Sequence, residues 1–388
     1  SLAENLAKQY PKTLILYEIL GAAYMGLKDA DKTIESYQKA LQLNPNHTDA
    51  YNNMGMALYD QGKFDEAIKC YQNAAELEPD FADAHYNLGN ALKQKGELKQ
   101  AIESYRASLA INPNDAEVLL NYGNALKSYG DFDHAIEAYI GALKIDPNFA
   151  AAQTNMDDAV GVKSEIDKNV ADYARVTKLE ISSAEILSFT GTLLKARGCL
   201  DAAIASYKQA IKIKPDYAKA YSNMGNALKD KGDLDAAIDS YKQSLKIDPN
   251  NADTCSNMGV ALQGKGDLDA AIDSYKQAIK IKPDHADAYS NMGNTQKGKG
   301  DLDAAIDSYK QAIKIKPDYA DAFNNMGVAL QDKGDLDTAI DSYKQAIKIK
   351  PDYADAYSNM GNALKDKGDL DAAIDSYKQA IKIKPDYA

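Results

Sequence analysis

Proline in this chain falls on a lattice. The eleven prolines stand at Pro11, Pro45, Pro79, Pro113, Pro147, Pro215, Pro249, Pro283, Pro317, Pro351 and Pro385, so every step is 34 residues except one of 68, from Pro147 to Pro215. A fixed period of this length marks a repeat array, and it removes the meaning of any domain count taken from the 388 residues. Proline cannot continue a helix. Each one is therefore a stop, and the lattice limits what can lie between stops.

Each interval reads as two helices. In AKAYSNMGNALKDKGDLDAAIDSYKQSLKIDPNN, Ala218 to Asn251, the residues Tyr221, Met224, Ala227 and Leu228 make an apolar stripe at helical spacing. Gly232 suits the left-handed turn that ends a helix. Asp233 then offers an N-cap, and Asp235 lies in the first turn of the next helix, where the dipole favours an acid. The second stripe is Leu234, Ala237, Ile238, Tyr241, Leu245 and Ile247, with Lys242 and Lys246 toward the C-terminus and Pro249 beyond. Gly225 and Ala237 read as the small slots where the two helices cross closely. Tyr241 recurs in every unit, from Tyr37 through Tyr173 to Tyr377, and reads as filler between pairs. Burying one such ring contributes about 1.5–3 kcal/mol.

This 34-residue pattern of Tyr, Leu or Met, Gly, Ala, Tyr and Pro resembles the tetratricopeptide repeat family, and the match runs over residues 14 to 387 as eleven units. The wording DAYSNMGN is similar to the repeats of O-linked N-acetylglucosamine transferase-type proteins, in the repeat region only. The resemblance implies an all-α fold, a right-handed superhelical α-solenoid of eleven helix-turn-helix repeats with first helices on the inner face. The expected organisation is an N-terminal helix fragment over 1–13, units 1–4 over 14–149, a degenerate fifth unit or joint over 150–183, and units 6–11 over 184–387.

The fifth unit fills the gap in the lattice. Asn155 and Met156 keep the positions of Asn223 and Met224, while Val170, Tyr173 and Leu179 keep those of Ile238, Tyr241 and Ile247. Its punctuation is lost: Asp157 replaces the crossing Gly, Ser164 the turn Gly, Asn169 the small Ala and Ile181 the Pro. No residue is inserted or deleted, so the sequence predicts a stacked helix pair with altered angles. From Asp216 on the units are nearly identical, yet they alternate: Asn226 with Lys229, Val260 with Gln263, Asn294 with Lys297, Val328 with Gln331, Asn362 with Lys365.

Two rows of asparagine stand out on the first helices. One is Asn53, Asn87, Asn121, Asn155, Asn223, Asn257, Asn291, Asn325 and Asn359; the other, a turn later, is Asn90, Asn124, Asn226, Asn294 and Asn362. Asn is a poor helix former, so its repetition in mid-helix asks for a reason. An amide offers donor and acceptor and can hold the backbone of an extended peptide; in the transferase-type superhelix it resembles, such a row grips peptide substrates. The competing reading is structural, with amides bridging neighbouring helices. Lys229, Lys297 and Lys365 read as helix C-terminal charge, or else as positive points favouring acidic peptides.

The formal charge of −12 argues against a nucleic-acid binder and against an anionic membrane surface. No apolar run has the length of a membrane helix. Cys70, Cys199 and Cys255 form no pair motif, which fits a reducing, cytoplasmic setting. The histidines His47, His85, His134 and His285 lack ligand spacing, and His47 and His285 read as aromatic packers before first helices. Catalytic, metal and cofactor sites find no support. The chain begins without Met and stops within a step toward another unit, so a piece of a longer protein and an uncapped last repeat are expected. The function read from the sequence is a non-enzymatic scaffold for a protein or peptide partner, held through the asparagine ladder. The alternatives are the repeat region of a larger glycosyltransferase or sulfotransferase, and an end-to-end homo-oligomer through the last repeat.

Overall fold

The computed structural model describes residues 2–178, 180 and 183–385. Among them every regular element is helical. After α1 (Leu2–Gln9) come the pairs α2 (Leu14–Gly26) and α3 (Ala30–Leu43), α4 (Thr48–Asp60) and α5 (Phe64–Leu77), α6 (Ala82–Gln94) and α7 (Leu98–Ile111), α8 (Ala116–Tyr129) and α9 (Phe132–Ile145). Then a single helix, α10, runs from Ala150 to Thr177. Pairs resume with α11 (Ala184–Ala196) and α12 (Leu200–Ile213), α13 (Ala218–Lys231) and α14 (Leu234–Ile247), α15 (Ala252–Lys265) and α16 (Leu268–Ile281). They end with α17 (Ala286–Gly298) and α18 (Leu302–Ile315), α19 (Ala320–Asp332) and α20 (Leu336–Ile349), α21 (Ala354–Lys367) and α22 (Leu370–Ile383). The chain divides into two compact units, Ser1–Ile181 with Phe189–Ala203, and Ser182–Ser188 with Ile204–Ala388.

The punctuation of the intact repeats does what the sequence predicts. Gly232 takes φ +90° at the end of α13, and Asp233 accepts from the Ala236 amide as an N-cap. The tyrosine and the glycine act together in a way the sequence reading missed. A Cβ at Gly225 would stand 2.6 Å from the Tyr241 ring, and the same holds at Gly259 against Tyr275 and at Gly327 against Tyr343, within 2.7 Å. The glycine makes room for the ring of its own repeat. Tyr241, Tyr275, Tyr309 and Tyr343 are fully buried. They are therefore intra-repeat keystones as well as filler toward the next pair.

The degenerate unit departs from the expectation of a helix pair: it is one helix. Two losses explain this. Ser164 stands where the left-handed Gly stands elsewhere, and Glu165 stands where the capping Asp stands, so neither a stop nor a start remains. The first half of α10 still takes the place of a first helix. Lys163 reaches Asp133 at 3.6 Å, as Lys95 reaches Asp65 at 2.6 Å in an intact repeat. Asp157, expected to prise a crossing helix away, has no such partner; it is exposed and accepts from Gln153 at 2.9 Å. Tyr173, expected in the buried slot, is 36% exposed and stacks on Phe189 with ring centroids 4.2 Å apart. Leu179 and Ile181 lie outside the described residues. The corner after α11 then closes on the α8–α9 turn, where Cys199 Sγ lies 3.7 Å from the Lys127 carbonyl oxygen and Arg197 pairs with Glu165.

Candidate peptide-binding face

First helices of successive repeats touch each other, as in α13 with α15 and α19 with α21, while no comparable contact joins successive second helices among the described residues. A stack whose first helices lie closer together than its second helices curves toward the first. Within each unit the first helices therefore line the inner face. All fourteen asparagines of the two rows are half-buried there, neither sealed in the core nor fully open.

The second row is spent inside its own repeat. The buried tyrosine hydroxyl donates to Asn90 from Tyr105 at 2.7 Å, to Asn124 from Tyr139 at 2.9 Å and to Asn226 from Tyr241 at 2.7 Å. Tyr309 donates to Asn294 and Tyr377 to Asn362, both at 2.8 Å. Where valine replaces this Asn, the acceptor moves one turn along the helix. Tyr275 donates to Gln263 at 3.2 Å and Tyr343 to Gln331 at 3.0 Å. The alternation seen in the sequence is thus a hand-over of one hydrogen bond. Burial pushes the hydroxyls of Tyr105, Tyr139, Tyr241, Tyr275, Tyr309 and Tyr343 well above the ordinary phenol pKa, so they stay neutral donors.

The first row divides. Asn87 donates to Asn52 at 3.0 Å, Asn155 to Asn124 at 2.9 Å, Asn325 to Asn294 at 3.1 Å and Asn359 to Asn324 at 3.0 Å. Asn121 donates to the Tyr86 hydroxyl at 2.9 Å and accepts from Lys93 at 3.2 Å. Asn53 bonds to Tyr37. These amides form a real ladder, but its rungs join repeat to repeat. Asn223, Asn257 and Asn291 differ: they have no side-chain partner among the described residues, and none is a sealed, unsatisfied group. Three consecutive repeats of the second unit therefore present unspent amides to solvent on one face.

Charge is handled differently on the two sides. Toward the end of the first helices a second set of lysines is held by the preceding repeat: Lys265 by Asp235, Lys299 by Asp269, Lys333 by Asp303 and Lys367 by Asp337. The sequence reading gave Asp235 to the helix dipole alone; the fixed spacing of 30 residues from each such aspartate to a lysine was the missed signal. Asn52 and Asn324, buried acceptors for the ladder, were missed too. His47 and His285 are largely covered at the starts of α4 and α17, where His47 Nε2 meets Glu18 and His285 Nε2 lies 3.2 Å from Asp253 without hydrogen-bond geometry. No group of three or more His, Cys, Asp or Glu able to hold a metal occurs among the described residues, and no described helix is long and apolar enough to cross a membrane.

Comparison with known proteins agrees with the repeat geometry. Profiles described as TPR repeat match residues 21–62, 55–96, 191–232, 225–266, 264–300, 297–334 and 329–368. Profiles described as tetratricopeptide repeat match 82–115, 354–387 and 116–149. None of these covers the stretch occupied by α10. The search of curated proteins finds no match. Among solved structures the chain is similar to MamA, at 34% identity over 42% of this chain and 95% of that one, TM-score 0.40. It is similar also to the APC/C hetero-tetramer Cut9-Hcn1, at 13% identity over 95% of this chain and 93% of that one, TM-score 0.48. A third is YrrB, described as a TPR protein with an unusual peptide-binding site, at 24% identity over 48% of this chain and 95% of that one, TM-score 0.40.

Proposed function

The chain belongs to the tetratricopeptide repeat family, and we propose that it is a non-enzymatic interaction scaffold that holds an extended peptide or protein segment along its first-helix face. The observation that carries this reading is the trio Asn223, Asn257 and Asn291, whose side-chain amides have no partner among the described residues. An extended backbone presents one donor and one acceptor per residue, and a row of amides at repeat spacing complements it without reading side chains. The likeness of DAYSNMGN to transferase-type repeats, where such a row grips peptides, points the same way. Of the other members of the ladder, Asn53, Asn87, Asn121, Asn155, Asn325 and Asn359 support the face by fixing repeat to repeat, while Asn90, Asn124, Asn226, Asn294 and Asn362 hold the tyrosine of their own repeat, and they keep lone pairs for a ligand.

A peptide-array screen before and after Asn223→Ala, Asn257→Ala and Asn291→Ala tests the proposal. At about 1 kcal/mol net per hydrogen bond, the triple variant weakens binding roughly a hundredfold. Unchanged binding discards the amide reading. The buried, unpaired Cys70, Cys199 and Cys255 fit the cytoplasmic assignment, which cell fractionation checks.

A further inference from the structure

The hydrogen-bond hand-over has a consequence for what the inner face can recognise. Where Asn takes the tyrosine hydroxyl, the position one turn on is released and carries a lysine: Lys229, Lys297 and Lys365. Where Val occupies the Asn position, Gln must take the hydroxyl, and the face is apolar and uncharged at Val260 with Gln263 and at Val328 with Gln331. The second unit thus alternates a cationic repeat with an apolar one.

The three lysines are not equivalent. Lys229 sits 3.2 Å from Asp230, and Lys365 is exposed, with no ion pair among the described residues and next to Asp366, which accepts from Gln331 at 2.9 Å. At Lys297 the corresponding acid is missing twice over: Gly298 follows it, and Gly264 stands at that slot in the repeat before. The acid returns at Asp332, one repeat on. Two residues after Lys297, Lys299 is held by Asp269, whereas Lys297 has no ion-pair partner among the described residues. A half-buried cation with no carboxylate, on the same helix as the unspent amide of Asn291, is a point of charge complementarity waiting on a ligand.

We propose that the inner face of the second unit selects an extended peptide bearing an acidic side chain at Lys297, flanked by apolar side chains against Val260 and Val328. This rests on the peptide reading above and adds the sequence that is taken. The Lys–carboxylate contact supplies preference, while the amides supply affinity that does not depend on side chains. A single, partly screened pair of this kind is worth roughly a two- to fivefold preference.

The test uses the full chain and short synthetic peptides of Ser and Val with Glu, Gln or Lys at one central position. The wild type binds the Glu peptide roughly two to five times more tightly than the Gln peptide, and the difference fades at high salt. Lys297→Glu reverses the order in favour of the Lys peptide. Val260→Asn with Gln263→Lys copies the arrangement of the neighbouring repeats, so Tyr275 keeps an acceptor, and this double variant gains a preference for a second Glu. Equal binding of the Glu and Gln peptides by the wild type overturns the inference, as does an unchanged ranking in Lys297→Glu. If the Asn223, Asn257 and Asn291 triple variant loses every peptide alike while Lys297→Glu changes no ranking, the amide reading stands and the charge reading falls. If Lys297→Glu reverses the ranking while the triple variant binds as well as wild type, the reverse holds. A wild type that binds none of the peptides overturns both.

Discussion

Replacing Asn226 by Val, alone and together with Lys229→Gln, tests the packing logic of every intact repeat. Tyr241 is fully buried and donates to Asn226 at 2.7 Å, its one acceptor among the described residues. Valine and asparagine have similar helix propensities, so that contribution cancels. What remains is a buried hydroxyl left without a partner, which costs about 1–3 kcal/mol, offset by a few tenths from the half-buried apolar side chain. The expected loss is about 1–2 kcal/mol. Lys229→Gln alone removes only a partly exposed contact to Asp230 and is worth less than about 0.5 kcal/mol. Combined, the two substitutions rebuild the arrangement in which Gln263 serves Tyr275 at 3.2 Å and Gln331 serves Tyr343 at 3.0 Å. The double variant should recover most of the loss, a coupling of about 1–2 kcal/mol. Guanidinium unfolding followed by circular dichroism gives the order of midpoints. Repeat arrays need not unfold in one step, so hydrogen exchange of the α13–α14 amides supplies the local value. A double variant as unstable as the sum of the singles refutes the hand-over.

Glycine substitutions should split in sign. Gly225→Ala places a methyl 2.6 Å from the Tyr241 ring and lowers the midpoint by the equivalent of about 1–2 kcal/mol despite better helix propensity, while Gly161→Ala in α10 meets nothing within 4 Å and raises it by about 1 kcal/mol. Thermal melts of the two variants read this directly. Alkaline titration should unfold the array. The buried tyrosines have folded-state pKa values raised by desolvation above the ordinary value of 10.0, so the stability they contribute is complete below that pH and is lost as pH rises through the folded values. Each contributes about 1.4 kcal/mol per pH unit in that window. Ionisation of all 26 tyrosines with helicity intact would contradict it. Ser164→Gly with Glu165→Asp restores a stop and a start inside α10 and should lower its helical protection by about 1 kcal/mol, seen as faster exchange near residues 162–168.

The fold was legible because repetition multiplies weak signals. A Gly, an Asp cap and a Pro at one place are a hint; the same three marks together in six repeats at one spacing fix helix pairs and their order. The reasoning failed where those marks are missing. At Ser164 and Glu165 the apolar frame of a second helix persists, yet apolar spacing alone does not break a helix, and nothing local does so there. The candidate site was legible as a row and not as a division of labour. Sequence marks Asn223 and Asn325 as equivalent, but Asn325 donates to Asn294 and Asn223 has no side-chain partner among the described residues, a difference that depends on side-chain rotamers across repeats. The alternation of Asn226 with Val260 was plain, whereas its cause, the tyrosine hydroxyl, needed the third dimension.

The side-chain amide resonances of Asn223, Asn257 and Asn291, followed by NMR as an extended Glu-bearing peptide is added, test the central claim most directly. All three should shift together and saturably, with smaller changes at Asn359, whose amide is already given to Asn324 at 3.0 Å. Binding that leaves the three resonances in place, or perturbs only the second-helix side, contradicts it.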